Sequence, residues 1–111
     1  MEEILTEIKN AKGVIGVFLA NEMGQVLANV GKFGAIPLKD VAKEILEIIG
    51  KQQAAHKYPE WLQFTYDTRI ILIQVQPEFF IVSLCYTETE LALIRLMLKV
   101  SISRIKKHIA K

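Results

Sequence analysis

The segment Val14-Ile-Gly-Val-Phe-Leu-Ala20 carries no polar side chain. In an extended strand, Ile15, Val17 and Leu19 point one way and Val14, Gly16 and Phe18 the other. Both sets are apolar, so the strand needs cover on both faces, as in the middle of a sheet. A chain built around such a strand must place layers above and below it. Gly16 leaves room on one face for something to lie close to the sheet. Asn21-Glu22-Met23-Gly24 reads as a turn, with Gly24 supplying positive φ. Gln25 to Val30 then alternates, with Val26, Ala28 and Val30 on one side, and predicts a partner strand nearer an edge.

The remaining pattern supplies the covering layers. Ile4, Leu5, Ile8 and Ala11 recur at helical spacing, with Glu2, Glu3 and Glu7 early, where the helix dipole favours anions. Gly13 is placed to end this helix as a left-handed cap. A middle helix starts near Leu38, with Pro37 at or just before its first turn. Its apolar positions Leu38, Val41, Ala42, Ile45, Leu46, Ile48 and Ile49 span an arc of about 160°, where a helix lying on one sheet needs only about 100°. The excess predicts a second neighbour. Gly50 either ends this helix or lies inside it. In the second case the helix continues toward His56 before Pro59, and Gly50 with Ala54 forms a small-residue notch. Trp61–Asp67, Arg69–Gln76 and Phe79–Tyr86 read as three strands. Thr87 and Glu90 have the spacing of a capping box opening a final helix. Leu91, Ile94, Leu98, Ile102, Ile105 and Ile109 form its stripe, and Arg104, Lys106, Lys107, His108 and Lys111 crowd its end, where the dipole favours cations.

The order α-β-β-α-β-β-β-α predicts an α/β (α+β) sandwich. One mainly antiparallel five-stranded sheet has the middle helix on one face and the first and last helices on the other. The 111 residues suit one domain spanning 1–111. A formal net charge of +2 is too small to argue for nucleic acid. The apolar runs are too short to span a bilayer. The acidic, amphipathic N-terminus lacks the regions of a signal peptide, so a cytoplasmic protein is expected.

No spacing announces chemistry. His56 and His108 are far apart and neither has a Cys or His at metal-ligand distance. His56 is expected at the edge of the core, hydrogen-bonded. Cys85 sits in an apolar strand and reads as a buried, inert thiol. Glu22, Asp40 and Asp67 have no paired carboxylate beside them. Gly24-Gln-Val-Leu-Ala-Asn-Val-Gly31-Lys32 approaches a phosphate-binding loop, but six residues separate the glycines where that motif has four, and Phe33 follows the lysine. No catalytic residue, cofactor or metal is assigned, and an enzyme is not expected.

Gly13, Val14, Gly16 and Gly24, set in this order and length of elements, resemble the roadblock/dynein light-chain family, prokaryotic-like members in particular. The resemblance covers nearly the whole chain. It implies a non-enzymatic homodimeric platform pairing through the middle helix and third strand, and binding a small Ras-like GTPase or a motor or signalling complex. The wide arc and the exposed edge of a third strand agree with such pairing. The expected interface is Val41, Ile45, Ile48, Ile49, Gly50, Trp61, Gln63 and Thr65. Leu93, Leu96, Met97 and Val100 make a second apolar patch on the final helix. Packing against the first helix explains part of it, and the remainder is open to docking of a partner or to a higher-order contact. A small-ligand-sensing module, or a purely structural dimerisation module, on the same architecture is the second reading, weakened by an interior offering few polar groups.

Overall fold

A computed structural model of the chain describes residues 1–66 and 68–109. Its elements are α1 (Glu2–Lys9), β1 (Val14–Asn21), β2 (Val26–Gly31), α2 (Leu38–Ala54), β3 (Trp61–Tyr66), β4 (Arg69–Val75), β5 (Phe79–Tyr86) and α3 (Leu91–Ile109). The strands form one sheet in the order β2-β1-β5-β4-β3 with every pairing antiparallel. Two cores lie on its two faces. Ile4, Leu5 and Ile8 of α1 and Ile94, Leu98 and Ile105 of α3 pack with Val17, Leu19, Leu72 and Ile81. Ala42, Ile45 and Ile49 of α2 pack with Phe18, Ala20, Ile73, Phe80 and Val82 on the other side. The expected layers are therefore present, with β1 and β5 inside the sheet.

Two bulges change which side chains share a face. Between Val14 and Gly16 the β1–β5 register skips a residue, leaving Ile15 unpaired with β5. Val14 consequently joins Val17 and Leu19 beneath α1 and α3, and not Phe18 as strict alternation requires. The β1–β2 register also slips, pairing Leu19 with Ala28 but Ala20 with Val26. Leu27 is extruded to solvent, and Val26 turns toward α2 while Ala28 and Val30 remain on the opposite face. One extra residue reverses parity in a structure of period two.

The hairpin turn follows its composition. Asn21 Oδ1 accepts hydrogen bonds from the backbone N–H groups of Met23 and Gln25, both at 3.0 Å, and Gly24 sits at φ +80°. The space beside Gly16 holds the Phe33 ring. A Cβ at Gly16 would come within 2.7 Å of that ring, which meets Phe18 edge-on with centroids 6.0 Å apart.

Two helix boundaries differ from expectation, and a third, left open at Gly50, is decided. α1 stops at Lys9 with Asn10 right-handed, so Gly13 (φ +93°) is not its cap. The Gly13 carbonyl instead accepts from Tyr86 N–H at 2.9 Å and from the Thr89 hydroxyl at 3.1 Å. That tie holds 87–90 as a turn, so the final helix opens at Leu91 and the Thr87–Glu90 box does not form. α2 runs through Gly50 and ends at Ala54. His56 N–H bonds to Gln53 O and Lys57 N–H to Gln52 O. This is the paired-bond termination usually completed by a left-handed glycine, and His56 holds that position at φ +59°. His56 is thus exposed beyond the helix and not at the edge of the core. His56→Gly is expected to raise the unfolding free energy by roughly 0.5–1 kcal/mol, relief of left-handed strain outweighing added chain entropy, measured by chemical denaturation. Asp67, expected at the end of β3, and Lys111 lie outside the described residues.

Candidate self-association surface

One helix does not cover the α2 face of five strands. Leu46 marks the flank of α2 toward β2, since a Cβ on Gly24 would touch its Cδ2 at 3.4 Å. Helical spacing puts Val41 and Ile48 on the opposite flank, facing the β3 edge. Both are half-buried. Leu62 and Phe64 of β3 and Ile71 of β4 are also only half-buried on this face of the sheet. These half-buried side chains leave a shallow apolar strip, or channel, beside α2 and above β3 and β4.

The bottom of that channel ends in a free strand edge. Val75 N–H donates to Glu60 O at 2.8 Å, and the register continues Trp61–Gln74, Leu62–Ile73 and Gln63–Leu72. In an antiparallel ladder, alternate residues direct both backbone groups to one neighbour. Glu60 sets the phase, so Leu62 and Phe64 bond inward to β4, and Trp61, Gln63 and Thr65 turn their backbone N–H and C=O groups outward. These are the three strand residues expected from sequence.

The predicted helix residues fare differently. Ile45 and Ile49 are buried against the protein's own sheet, and Gly50 is exposed on the Leu46 flank, away from β3. These three do not face the channel, because helix and sheet consume the centre of the apolar arc and leave only its margin. Leu62 and Phe64 were not among the expected residues. The alternation of β3 held the signal, but only strand pairing decides which parity faces α2.

The other face of β3 is closed by polar contacts. Arg95 donates to Gln63 Oε1 at 2.7 Å. The buried Gln74 amide donates to Glu60 Oε1 at 3.3 Å and accepts from Gln76, and Lys99 lies 3.7 Å from the same Glu60 oxygen. Trp61 packs toward α1 and α3. Farther along α3, Arg104 forms a paired hydrogen bond with Glu7 of α1. That guanidinium holds the Glu7 carboxyl below the usual carboxylate range. The pair contributes stability above the unfolded carboxyl pKa and loses it as pH falls through the depressed folded value.

Cys85 is buried, as its apolar strand predicts. Burial pushes the Cys85 thiol up to about 11, and its side chain is fully enclosed. Native protein at pH 8 is expected to leave Cys85 unlabelled by a thiol reagent over hours, with full labelling on adding denaturant. Among the described residues, no group of three or more His, Cys, Asp or Glu is placed to hold a metal ion, and no helix is long and apolar enough to cross a membrane. Gly24–Lys32 forms the β1–β2 turn and β2, not a strand-to-helix phosphate loop. Leu93, Leu96 and Val100 are exposed and Met97 is half-buried, so α1 does not cover the patch on α3.

A three-helix, five-stranded sandwich with this order of elements is the roadblock-type fold. The chain is similar to Myxococcus xanthus MglB, with a TM-score of 0.83 at 15% identity over 97% of this chain and 86% of that one. It is also similar to a roadblock/LC7 domain from Streptomyces avermitilis, with a TM-score of 0.82 at 8% identity over 100% and 98% of the two chains. The gliding protein MglB from Thermus thermophilus gives 0.78 at 16% identity over 90% and 81%. No protein-family model and no curated protein sequence matches the chain. At these identities the likeness establishes the fold.

Proposed function

We propose that the protein is a cytoplasmic, non-enzymatic homodimer that regulates or tethers a small Ras-like GTPase. The observation carrying the self-association is the open channel beside α2, bounded by Val41, Ile48, Leu62 and Phe64 and ending at the outward backbone of Trp61, Gln63 and Thr65. A second copy related by a two-fold axis near Gln63 fills it. β3 joins its twin to make one continuous sheet, and the two α2 helices lie side by side above it. Unpaired edge groups and half-buried apolar side chains are then satisfied by the same event.

The GTPase reading rests on the roadblock-type fold, on likeness to the two MglB structures, and on what the family resemblance implies. The non-enzymatic reading is supported by an enclosed thiol and by two exposed histidines, His56 beyond the end of α2 and His108 in α3. Gln63→Pro tests the pairing. It removes an outward N–H that the monomer does not use, so a folded monomer is the expected product. A pull-down with a small GTPase from the same source, loaded with GDP or a GTP analogue, tests the partner. Nucleotide-dependent capture is expected, and equal or absent capture in both states would reject the GTPase reading.

A further inference from the structure

The outer side of α3 is used neither by the sheet nor by the channel beside α2. Ile94, Leu98, Ser101 and Ile105 face inward, while Leu93, Leu96 and Val100 are 47%, 59% and 62% exposed. Positions 93, 96, 100, 103 and 107 alternate in steps of three and four, which is the spacing of a straight helix-pairing seam. Its chemistry is graded. Glu88 and Glu90 are exposed in the turn just before Leu91. The three apolar side chains follow. Ser103 and Lys107 finish the seam, and α3 itself contains Arg95, Lys99, Arg104, Lys106 and Lys107 but no Asp or Glu.

A surface running acidic, apolar, basic is complementary to its own reversed copy. We infer that the outer face of α3 pairs antiparallel with α3 of a second copy. In that arrangement the two-fold axis passes beside Leu96, Leu93 meets Val100 of the second copy, and Glu88 and Glu90 lie against its basic end. Arg95 and Lys99 lean toward Gln63 and Glu60 and Arg104 is tied to Glu7, so Lys107 is the seam cation that Glu88 and Glu90 approach, whereas a parallel pairing sets those carboxylates against their own copies. An anionic bilayer fits less well, because Glu88 and Glu90 border the apolar side chains and would face the same negative surface. The apolar seam is short, so the contact belongs to the small, concentration-dependent class of interfaces. It lies on the face of the sheet opposite α2. Combined with the proposed α2–β3 dimer it yields assemblies larger than two chains.

Sedimentation across micromolar to near-millimolar protein tests this. The wild type is expected to gain mass with concentration, and 0.5 M salt to suppress that gain. Leu96→Glu removes the α3 step and leaves the α2–β3 dimer. Ile48→Glu does the opposite, so the two contacts fail separately. Orientation is read by cross-linking under mild oxidation, since a disulfide requires Cα atoms within about 7 Å, and Cys85 is enclosed. Leu96→Cys is expected to cross-link to itself. A mixture of Leu93→Cys and Val100→Cys is expected to cross-link about tenfold faster than either alone, because only the reversed register brings those positions within disulfide reach. Three results overturn the inference. One is identical mass for wild type and Leu96→Glu at every concentration. Another is self-cross-linking of Leu93→Cys as fast as the mixture. The third is Leu96-dependent binding to vesicles containing phosphatidylserine with no self-association.

Discussion

Ile48→Glu is expected to halve the mass of the species seen by sedimentation at low micromolar concentration. Ile48 is half-buried on the α2 flank that faces β3. In a two-fold assembly the substitution puts two carboxylates into one apolar seam. Desolvating them without partners costs several kcal/mol, so a dissociation constant raised by roughly two orders of magnitude, about 3 kcal/mol, is a conservative expectation. The monomer keeps its fold, since solvent can reach position 48 in the single chain. Far-UV circular dichroism should be unchanged, which separates lost pairing from unfolding. Ile45 makes the contrast. It is buried against Phe80 and Val82, so Ile45→Glu is expected to unfold the chain outright.

The largest effect of a single added methyl group is expected at Gly31. Its φ is +94°, and a Cβ there would lie 2.4 Å from the Ile15 carbonyl oxygen and 2.7 Å from Gly16 Cα. Both obstacles are backbone: Gly16 pairs with Gly31 in the β1–β2 ladder, and the Ile15 carbonyl accepts from Lys32 N–H at 3.1 Å. Gly31→Ala therefore adds left-handed strain to a collision that no rotamer change relieves. The two together should lower the unfolding free energy by about 3 kcal/mol, on the order of 10 °C in Tm for a domain of this size. Gly34→Ala is the control. Gly34 also has positive φ (+62°), but nothing lies within 4 Å of its added Cβ, so only strain remains and a loss of about 1 kcal/mol is expected. Equal losses at the two sites, followed by thermal unfolding, would mean that the close approach of β2 to β1 is not what Gly31 protects.

These cases show where a reading of residues succeeds and stops. The apolar run Val14–Ala20 predicts a strand inside the sheet, and β1 lies there between β2 and β5. The Asn21–Gly24 turn forms through the Asn21 side chain, as short polar turn residues do. Gly16 predicts a close neighbour, which is the Phe33 ring. These are local consequences of side-chain period and backbone freedom. The failures come where a distant contact intervenes. Ile15 and Leu27 are bulged by the needs of neighbouring strands, so the facing of Val14 and Val26 could not be counted off by twos. Thr89 is tied to Gly13, 76 positions away, which delays α3 to Leu91. His56 occupies the left-handed residue of a helix terminus, a position glycine usually fills, and so lies beyond α2 and not at the edge of the core.

The candidate surface divides in the same way. The excess apolar arc of α2 and the unpaired edge of β3 were both legible, because amphipathic width and strand alternation are properties of the chain alone. Which margin of the arc stays uncovered was not. That depended on α2 settling toward the Gly24 turn, which commits Leu46 to one side and leaves Val41 and Ile48 on the other. Likewise, residues 61–65 were readable as a strand, but only its ladder with β4 determines that Trp61, Gln63 and Thr65 offer their backbone outward while Leu62 and Phe64 line the channel. The residues determined the layers and the amount of apolar surface. Packing alone decided which of that surface faces out, since exposure is a relation between elements distant in the chain.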